Sequence, residues 1–439
     1  MDAVPQPDRA ALRARQLGRL RDLLAAVRPA NRFQHGKLAS LGQGAWTIES
    51  LDDYTARFPL TTKAELVADQ AAHPPYGTNL SFPPESYTRC HQTSGTTGTP
   101  LRWLDTPGSW DALTGCWMEV FRAAGVGPGD RVFFAFSFGP FIGFWLAFAA
   151  AERLGCLCLP GGGLTTVARL KTLIELRATV LCCTPTYALH LAEAAAREGI
   201  HLRDSAIRLL MVAGEPGGSV PTIRARLRQV WGGARVFDHH GMTEVGAVTH
   251  ECPARPGVLH IMEEAYLAEV IDPASGGPAP AGARGELVLT TLHRTGSPVL
   301  RYRTGDLVQP RFDPSRTDLA PCACGRCELA LEGGILGRVD DMVIVRGVNI
   351  FPSAVDEVIR RFPEVAEYQV LLTSPGGLVQ IAIEVELAPA ATEPAAVAQR
   401  IQTALQTAFA LRIPVTFVPP DTLPRYELKA RRWRRLSAL

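Results

Sequence analysis

Apolar and polar positions divide the chain into textures that predict different architectures. Arg131 to Phe136 reads as a buried strand and Pro140 to Leu154 as a helix. Cys156 to Leu159 and Thr179 to Cys183 are again short apolar runs bounded by glycine or proline. Leu189 to Glu198 is helical in spacing, and Leu209 to Val212 runs straight into Ala213-Gly214-Glu215. Strands alternating with helices predict a layered α/β domain with parallel strands, whose carboxyl ends carry the binding loops. From Tyr266 the texture turns β-rich, with strands expected at Leu267 to Ile271, Gly285 to Leu289 and Val299 to Tyr302. Asp272 to Gly282 is a turn-rich excursion between the first two. Beyond Gly337-Arg338 a small α+β module is expected. Its strands are Met342 to Arg346, Tyr368 to Thr373 and Val379 to Glu386, and its helices are Ser353 to Phe362 and Pro394 to Ala410. The fold class is therefore α/β: a large multi-layered domain over 1–338, with parallel and mixed sheets, and a small α+β domain over 339–439. No internal repeat is present, and the one biased tract is Pro389 to Pro394.

Two segments imitate membrane or targeting signals. Arg9 to Arg28 is rich in leucine and arginine, but Asp8 and Asp22 argue against a transit peptide, and Leu17, Leu20, Leu24 and Val27 mark one helical face. Phe133 to Ala151 is uncharged and nearly long enough to span a bilayer. Gly139-Pro140 interrupts it, so a strand entering a buried helix is expected instead. At 439 residues, 46% hydrophobic and 20% charged, the chain has the composition of a globular protein with a large core. A net charge of +2 gives no push toward nucleic acid or acidic membranes. Ten cysteines without a disulfide spacing or a secretory leader point to the cytoplasm.

The densest chemical signal is Thr93-Ser94-Gly95-Thr96-Thr97-Gly98-Thr99-Pro100-Leu101. Glycines let a backbone approach a ligand closely, and hydroxyls with free N–H groups suit phosphate oxygens. It is not a Walker loop, since Thr99 stands where a lysine is expected. Further motifs follow in order: Ala213-Gly214-Glu215-Pro216, His240-Gly241-Met242-Thr243-Glu244 and Tyr302-Arg303-Thr304-Gly305-Asp306. The last is Gly337-Arg338-Val339-Asp340-Asp341, leading into Arg346-Gly347-Val348-Asn349-Ile350-Phe351-Pro352. Together they resemble the adenylate-forming superfamily of acyl- and aryl-CoA synthetases, luciferases and adenylation domains. The resemblance is nearest to the phenylacetate–CoA ligase branch. It runs from Ser50-Leu51-Asp52-Asp53, through Phe58-Pro59-Leu60-Thr61-Thr62-Lys63, to Leu423-Pro424-Arg425-Tyr426-Glu427-Leu428-Lys429.

The resemblance implies an AMP-forming ligase that activates an acid with ATP, releases pyrophosphate and passes the acyl group to CoA. Thr93, Ser94, Gly95, Thr96, Thr97 and Gly98 would hold the β- and γ-phosphates. Thr243 would contact the α-phosphate, and Glu244 would bind Mg²⁺ bridging phosphate oxygens. Gly214, Glu215, Pro216, Asp238, His239, His240 and Arg338 would surround the nucleotide. Asp306, a carboxylate read as lying in a tight turn, would contact the ribose hydroxyls. Lys429 would reach from a mobile small domain, hinged at Asp340, to the forming adenylate, and the Arg346-Gly347 face would then serve the thiol. This chain departs from the pattern at His240, where relatives carry tyrosine, and at Leu428, where they carry glycine. Imidazole can stack on adenine and adds a group that titrates near neutrality; either histidine pairs with the substrate or is satisfied structurally by backbone.

The acid pocket is expected among Ser137, Phe138, Gly139, Phe141, Ala213, Gly214 and His239, where small residues admit a flat ring and phenylalanines supply stacking surface. An aromatic acid follows from that, with a monomer or homodimer as the assembly. Cys322-Ala323-Cys324-Gly325-Arg326-Cys327 and Cys252…His260 form a second constellation. The expected ligands of a structural Zn²⁺ are Cys252, His260, Cys322 and Cys324, with Cys327 as rival; buried reduced thiols are the alternative. Two further functions compete with the CoA ligase. One is an adenylating enzyme that serves a carrier-protein thiol or an amine, and the other is a nucleotide-binding relative without catalysis.

Overall fold

The computed structural model describes residues 8–93, 100–312, 322–346, 348–374, 379–388, 391, 393–427 and 430–436. At its centre is a five-stranded parallel sheet. Its strands are β1 (Arg131–Phe134), β2 (Leu157–Pro160), β3 (Val180–Cys183), β4 (Leu209–Val212) and β5 (Arg235–Asp238), in spatial order β2-β1-β3-β4-β5. Alternation along each strand sends side chains to opposite faces. Phe134, Cys182, Met211 and Phe237 join one apolar cluster. Their neighbours Phe133, Leu181, Leu210 and Val236 join the other. Both faces are therefore buried, which is why β3 and β4 read as unbroken apolar runs.

Helices Ile142–Arg153, Thr166–Glu175, Pro185–Arg197 and Pro221–Val230 connect the strands. The run that imitated a membrane span is β1 followed by the first of these helices. No helix among the described residues is long and apolar enough to cross a membrane. The helix expected from Leu189 begins earlier, because Thr184 caps it by accepting from the Tyr187 N–H and Pro185 suits its first turn. Strand order reverses between β1 and β3, so the loops leaving their carboxyl ends diverge and open a crevice there.

The β-rich region forms an antiparallel sheet of Tyr266–Ile271, Gly285–Thr291, Tyr302–Val308 and Gly337–Arg338. The strand expected over Val299 to Tyr302 instead starts at Tyr302 and carries the whole Tyr302-to-Asp306 motif. A three-stranded sheet of Thr249–Glu251, Val258–Ile261 and Ala330–Glu332 lies beside it. The C-terminal part has its own core and a mixed sheet in the order Val415–Val418, Gln380–Leu387, Val365–Thr373, Trp433–Arg435. Helices Pro352–Ile359 and Pro394–Phe409 belong to the same module. A cavity of about 1150 Å³ separates it from the helices Pro185–Arg197 and Pro221–Val230, with Arg197, Arg226, Arg361 and Asp421 among its lining.

Candidate active site

Three loops leave the carboxyl ends of β1, β4 and β5 on the same edge of the sheet, with β3 between β1 and β4. After β1, Ser137 is exposed, and the Gly139 N–H turns back to the Ser137 carbonyl at 2.9 Å. Phe138 stands edge-on to Trp145 at 5.1 Å, Phe141 edge-on to Phe144 at 5.9 Å, and Phe136 stacks on Phe144 at 4.1 Å. After β4, Gly214 takes a φ of 93°, which a side chain would strain. The His239 N–H lies 3.4 Å from the Val212 carbonyl, which sets the β5 loop beside Ala213-Gly214.

The β5 loop separates its residues by strand alternation. Asp238 turns back into the body, where it accepts from the Ser219 hydroxyl at 2.6 Å and its N–H donates to Glu251. Burial lifts its carboxyl to about 7. His239 points the other way, edge-on to Trp117 at 4.5 Å. It is buried, its Nδ1 has no hydrogen-bond partner among the described residues, and burial together with neighbouring His240 pulls it down to about 3. Desolvation thus favours the neutral ring at His239. His240 places Nε2 3.0 Å from Asp306 Oδ2. Only glycine fits at 241, since a Cβ would lie 2.6 Å from the Gly246 carbonyl oxygen.

Thr243 and Glu244 follow directly. The Thr243 hydroxyl approaches the Gln92 carbonyl at 3.5 Å, and its own carbonyl accepts from Arg294 at 2.7 Å. Arg294 is held by a bidentate pair with Asp105 at 2.6 and 2.7 Å, both side chains fully buried. Glu244 Oε1 accepts from the Tyr302 hydroxyl at 3.2 Å and lies 3.4 Å from Lys63 Nζ. Lys63 stood in a quoted motif without a role, and Arg294, Asp105 and Trp117 carried no signal at all. Their partners are far away in sequence, so spacing could not expose them.

Gln92 ends the strand Arg89–Gln92, which pairs with Arg102–Asp105. Its N–H donates to the Pro140 carbonyl at 2.8 Å, tying this hairpin to the β1 loop. Thr93 closes the hairpin with Leu101 through N–H···O and N–H···Oγ1 bonds of 3.0 Å each. Ser94, Gly95, Thr96, Thr97, Gly98 and Thr99 lie outside the described residues, as do Gly347, Leu428 and Lys429.

Asp306 was expected in a tight turn, but it lies in the strand Tyr302–Val308. Register with the neighbouring strand slips between Glu286 and Val288, and Gly305 adopts a φ of 77°. The Gly305 N–H is held by Glu286 at 3.1 Å, and a Cβ there would press to 2.6 Å from Arg338. This irregularity turns Asp306 toward His240 and Arg338, the latter at 3.3 Å. Arg338 also grips Asp340 through 2.8 and 3.1 Å bonds. The expected hinge residue is thereby tied to the expected ribose carboxylate.

Glu215 bridges two backbone segments. One carboxylate oxygen accepts from the Thr186 N–H and the other from the Ala430 N–H, each at 2.8 Å. The residue after Lys429 is thus bonded to the β4 loop.

Behind the site, Cys252, His260, Cys322 and Cys324 converge, with their ligand atoms all within 4.8 Å of one another. Cys252 Sγ is 3.4 Å from Cys322 Sγ, and Cys324 Sγ is 3.4 Å from His260 Nε2. Cys327 is outside this set, and its carbonyl accepts from Arg9. Burial lifts the Cys324 thiol to about 12 and lowers His260 to about 4. Soft donors at tetrahedral spacing fit Zn²⁺, which would displace the thiol protons on binding.

Residues 61–293 match the model of the AMP-binding enzyme family, and 347–434 match the AMP-binding enzyme C-terminal domain. The phenylacetate–coenzyme A ligase of Thermus thermophilus is 31% identical over 95% of each chain. That of Pseudomonas putida is 33% identical over 86% of this chain and 82% of its own. A solved 2-hydroxyisobutyryl-CoA ligase, in the postadenylation state with its acyl-AMP, superposes with a TM-score of 0.90 at 29% identity, covering 98% of this chain and 90% of that one. The same ligase with CoA in the thioesterification state gives 0.72 at equal coverage of this chain. Of these two states, the postadenylation one is the better match to the chain. By these matches and by the order of its loops, the chain belongs to the AMP-binding, adenylate-forming enzyme family.

Proposed function

We propose that this enzyme activates an aromatic carboxylic acid with ATP, forms an acyl-AMP with release of pyrophosphate, and transfers the acyl group to CoA. The observation that carries the reading is the convergence of Thr243, Glu244, His240 and Asp306 on the strand ends where the β1 and β4 loops open. Activation needs two anions brought together and charge on phosphorus neutralised, with little covalent help from protein. The acid's carboxylate oxygen attacks the α-phosphorus and pyrophosphate leaves. The CoA sulfur then attacks the acyl carbon, losing its proton, and AMP departs.

In this reading residues 93–98 hold the β- and γ-phosphates, Thr243 meets the α-phosphate and Asp306 the ribose. Glu244 binds Mg²⁺, since a buried carboxylate whose two contacts among the described residues both fall on Oε1 can present the other oxygen to a hard cation. Bound Mg²⁺ supplies charge neutralisation on the phosphate oxygens. Lys429 serves the first half-reaction only. The acid lies against Phe138, Phe141, Ala213 and Gly214, with the unpartnered Nδ1 of His239 available to a polar group on it. The two ligases named for phenylacetate support an aromatic ring. Zn²⁺ in the Cys252–His260–Cys322–Cys324 site is structural.

The test is pyrophosphate release across a panel of benzoic, phenylacetic and short 2-hydroxy acids, with products identified by mass spectrometry with and without CoA. Acyl-CoA from aromatic acids is expected. Turnover confined to 2-hydroxy acids would overturn the substrate class, and adenylate that accumulates despite CoA would overturn the acceptor.

A further inference from the structure

The segment that carries Lys429 is fastened to the large domain at several points. Arg425 Nε lies 3.3 Å from Glu193, the Ala430 N–H donates to Glu215, and Arg432 reaches the Thr186 hydroxyl at 3.4 Å. The most telling contact is with Arg169, a side chain only 2% exposed in the first turn of Thr166–Glu175. Its guanidinium donates to the Gly161 carbonyl at 2.9 Å and to the Tyr187 hydroxyl at 2.6 Å, both within the large domain. Among the described residues its one ion pair is with Glu427 at 3.2 Å, on the other domain and two positions before Lys429. A buried cation whose counter-ion belongs to a moving part favours the arrangement that pairs them, because separation leaves the charge desolvated and alone.

We infer that Arg169 and Glu427 form a latch that positions the Lys429 loop for adenylate formation and must open before the acyl group is transferred. The inference rests on the two-step reading above. It assigns positioning roles to both residues, neither touching substrate. Glu215 and Thr186 supply the carboxylate and hydroxyl acceptors on which the loop settles, and Arg169 with Glu427 supplies the charge that selects the pose. Docking and release then become a two-state equilibrium biased by one ion pair. The fit to the postadenylation state of a relative, against the poorer fit to its thioesterification state, is the arrangement in which the pair is made.

The experiment separates the half-reactions. Glu427 is about half exposed, so Glu427→Gln should fold normally. It is expected to slow pyrophosphate release about tenfold, an ordinary size for coupling between sites. CoA transfer from supplied acyl-AMP should be unchanged or faster. Glu427→Asp should recover part of the first rate, and Arg169→Met should reproduce the Gln phenotype. Equal loss in both half-reactions, or no change in either, would overturn the latch. Hydrogen exchange at the Ala430 amide gives an answer that does not depend on turnover. It should be slow in the wild type and faster in Glu427→Gln, and identical exchange would also overturn the proposal. Wild-type protein that releases no pyrophosphate with any acid would sink the proposed function, while the exchange comparison would still judge the latch.

Discussion

Asp306 shows how one residue's meaning changes with its surroundings. From sequence it is a carboxylate beside a glycine, as apt to cap a turn as to hold a sugar. In the structure its backbone lies in a strand, and the Gly305 irregularity delivers its side chain to His240 and Arg338. Asp306→Ala is expected to raise the KM for ATP about tenfold or more, the scale of a hydrogen bond to a charged group, and to lower turnover. The fold should persist, because Arg338 keeps its bidentate contact with Asp340. Unchanged ATP affinity by calorimetry would remove Asp306 from the ribose site. His239 teaches the opposite lesson. A histidine by type, it is buried against Trp117, and desolvation pulls it well below the ordinary histidine range and favours the neutral ring.

At the scale of elements, the cysteine cluster joins the strand Val258–Ile261 and the turn before it to a segment some 70 positions later. Those pieces already pack together around Val258 and Ala330, and a metal would cross-link them. Protein purified without added metal should carry about one zinc per chain. Cys324→Ser should lower zinc content and reduce the melting temperature by about 5 °C, since such a site contributes folding energy directly. Pyrophosphate release by the folded fraction should change little, because none of the four ligands belongs to a nucleotide loop. Zinc-free protein of normal stability would return these thiols to ordinary core packing. Cys322 and Cys324 flank a turn closed by the Gly325 N–H on the Cys322 carbonyl, and both join the cluster while Cys327 does not.

For the whole molecule, the proposed two-step catalysis turns on which surface the small domain presents. Lys429→Ala is expected to abolish adenylate formation while leaving thioester formation from pre-made acyl-AMP nearly intact, since an interaction made in only one transition state affects only that step. Equal loss in both would end that division of labour. The variant differs from Glu427→Gln in kind: one removes a charge from the reaction, and the other loosens the loop that delivers it.

What the sequence determined by itself was local and ordered. Periodicity placed β1 to β4 and the C-terminal helices within a few residues, because short apolar strands and amphipathic helices leave a continuous signature; β5, Arg235–Asp238, was not read from the sequence. The order of Thr93, Ala213, Thr243, Asp306 and Lys429 named the family, because loops at strand ends must keep backbone-compatible residues in chain order. Tertiary structure decided everything that depends on distant partners. It put Asp306 in a strand, buried His239 against Trp117, placed Lys63 beside Glu244 and gave Arg169 its counter-ion across the domain boundary. Those outcomes follow from burial and from charges brought together across hundreds of positions, and neither quantity is carried by any single stretch of chain.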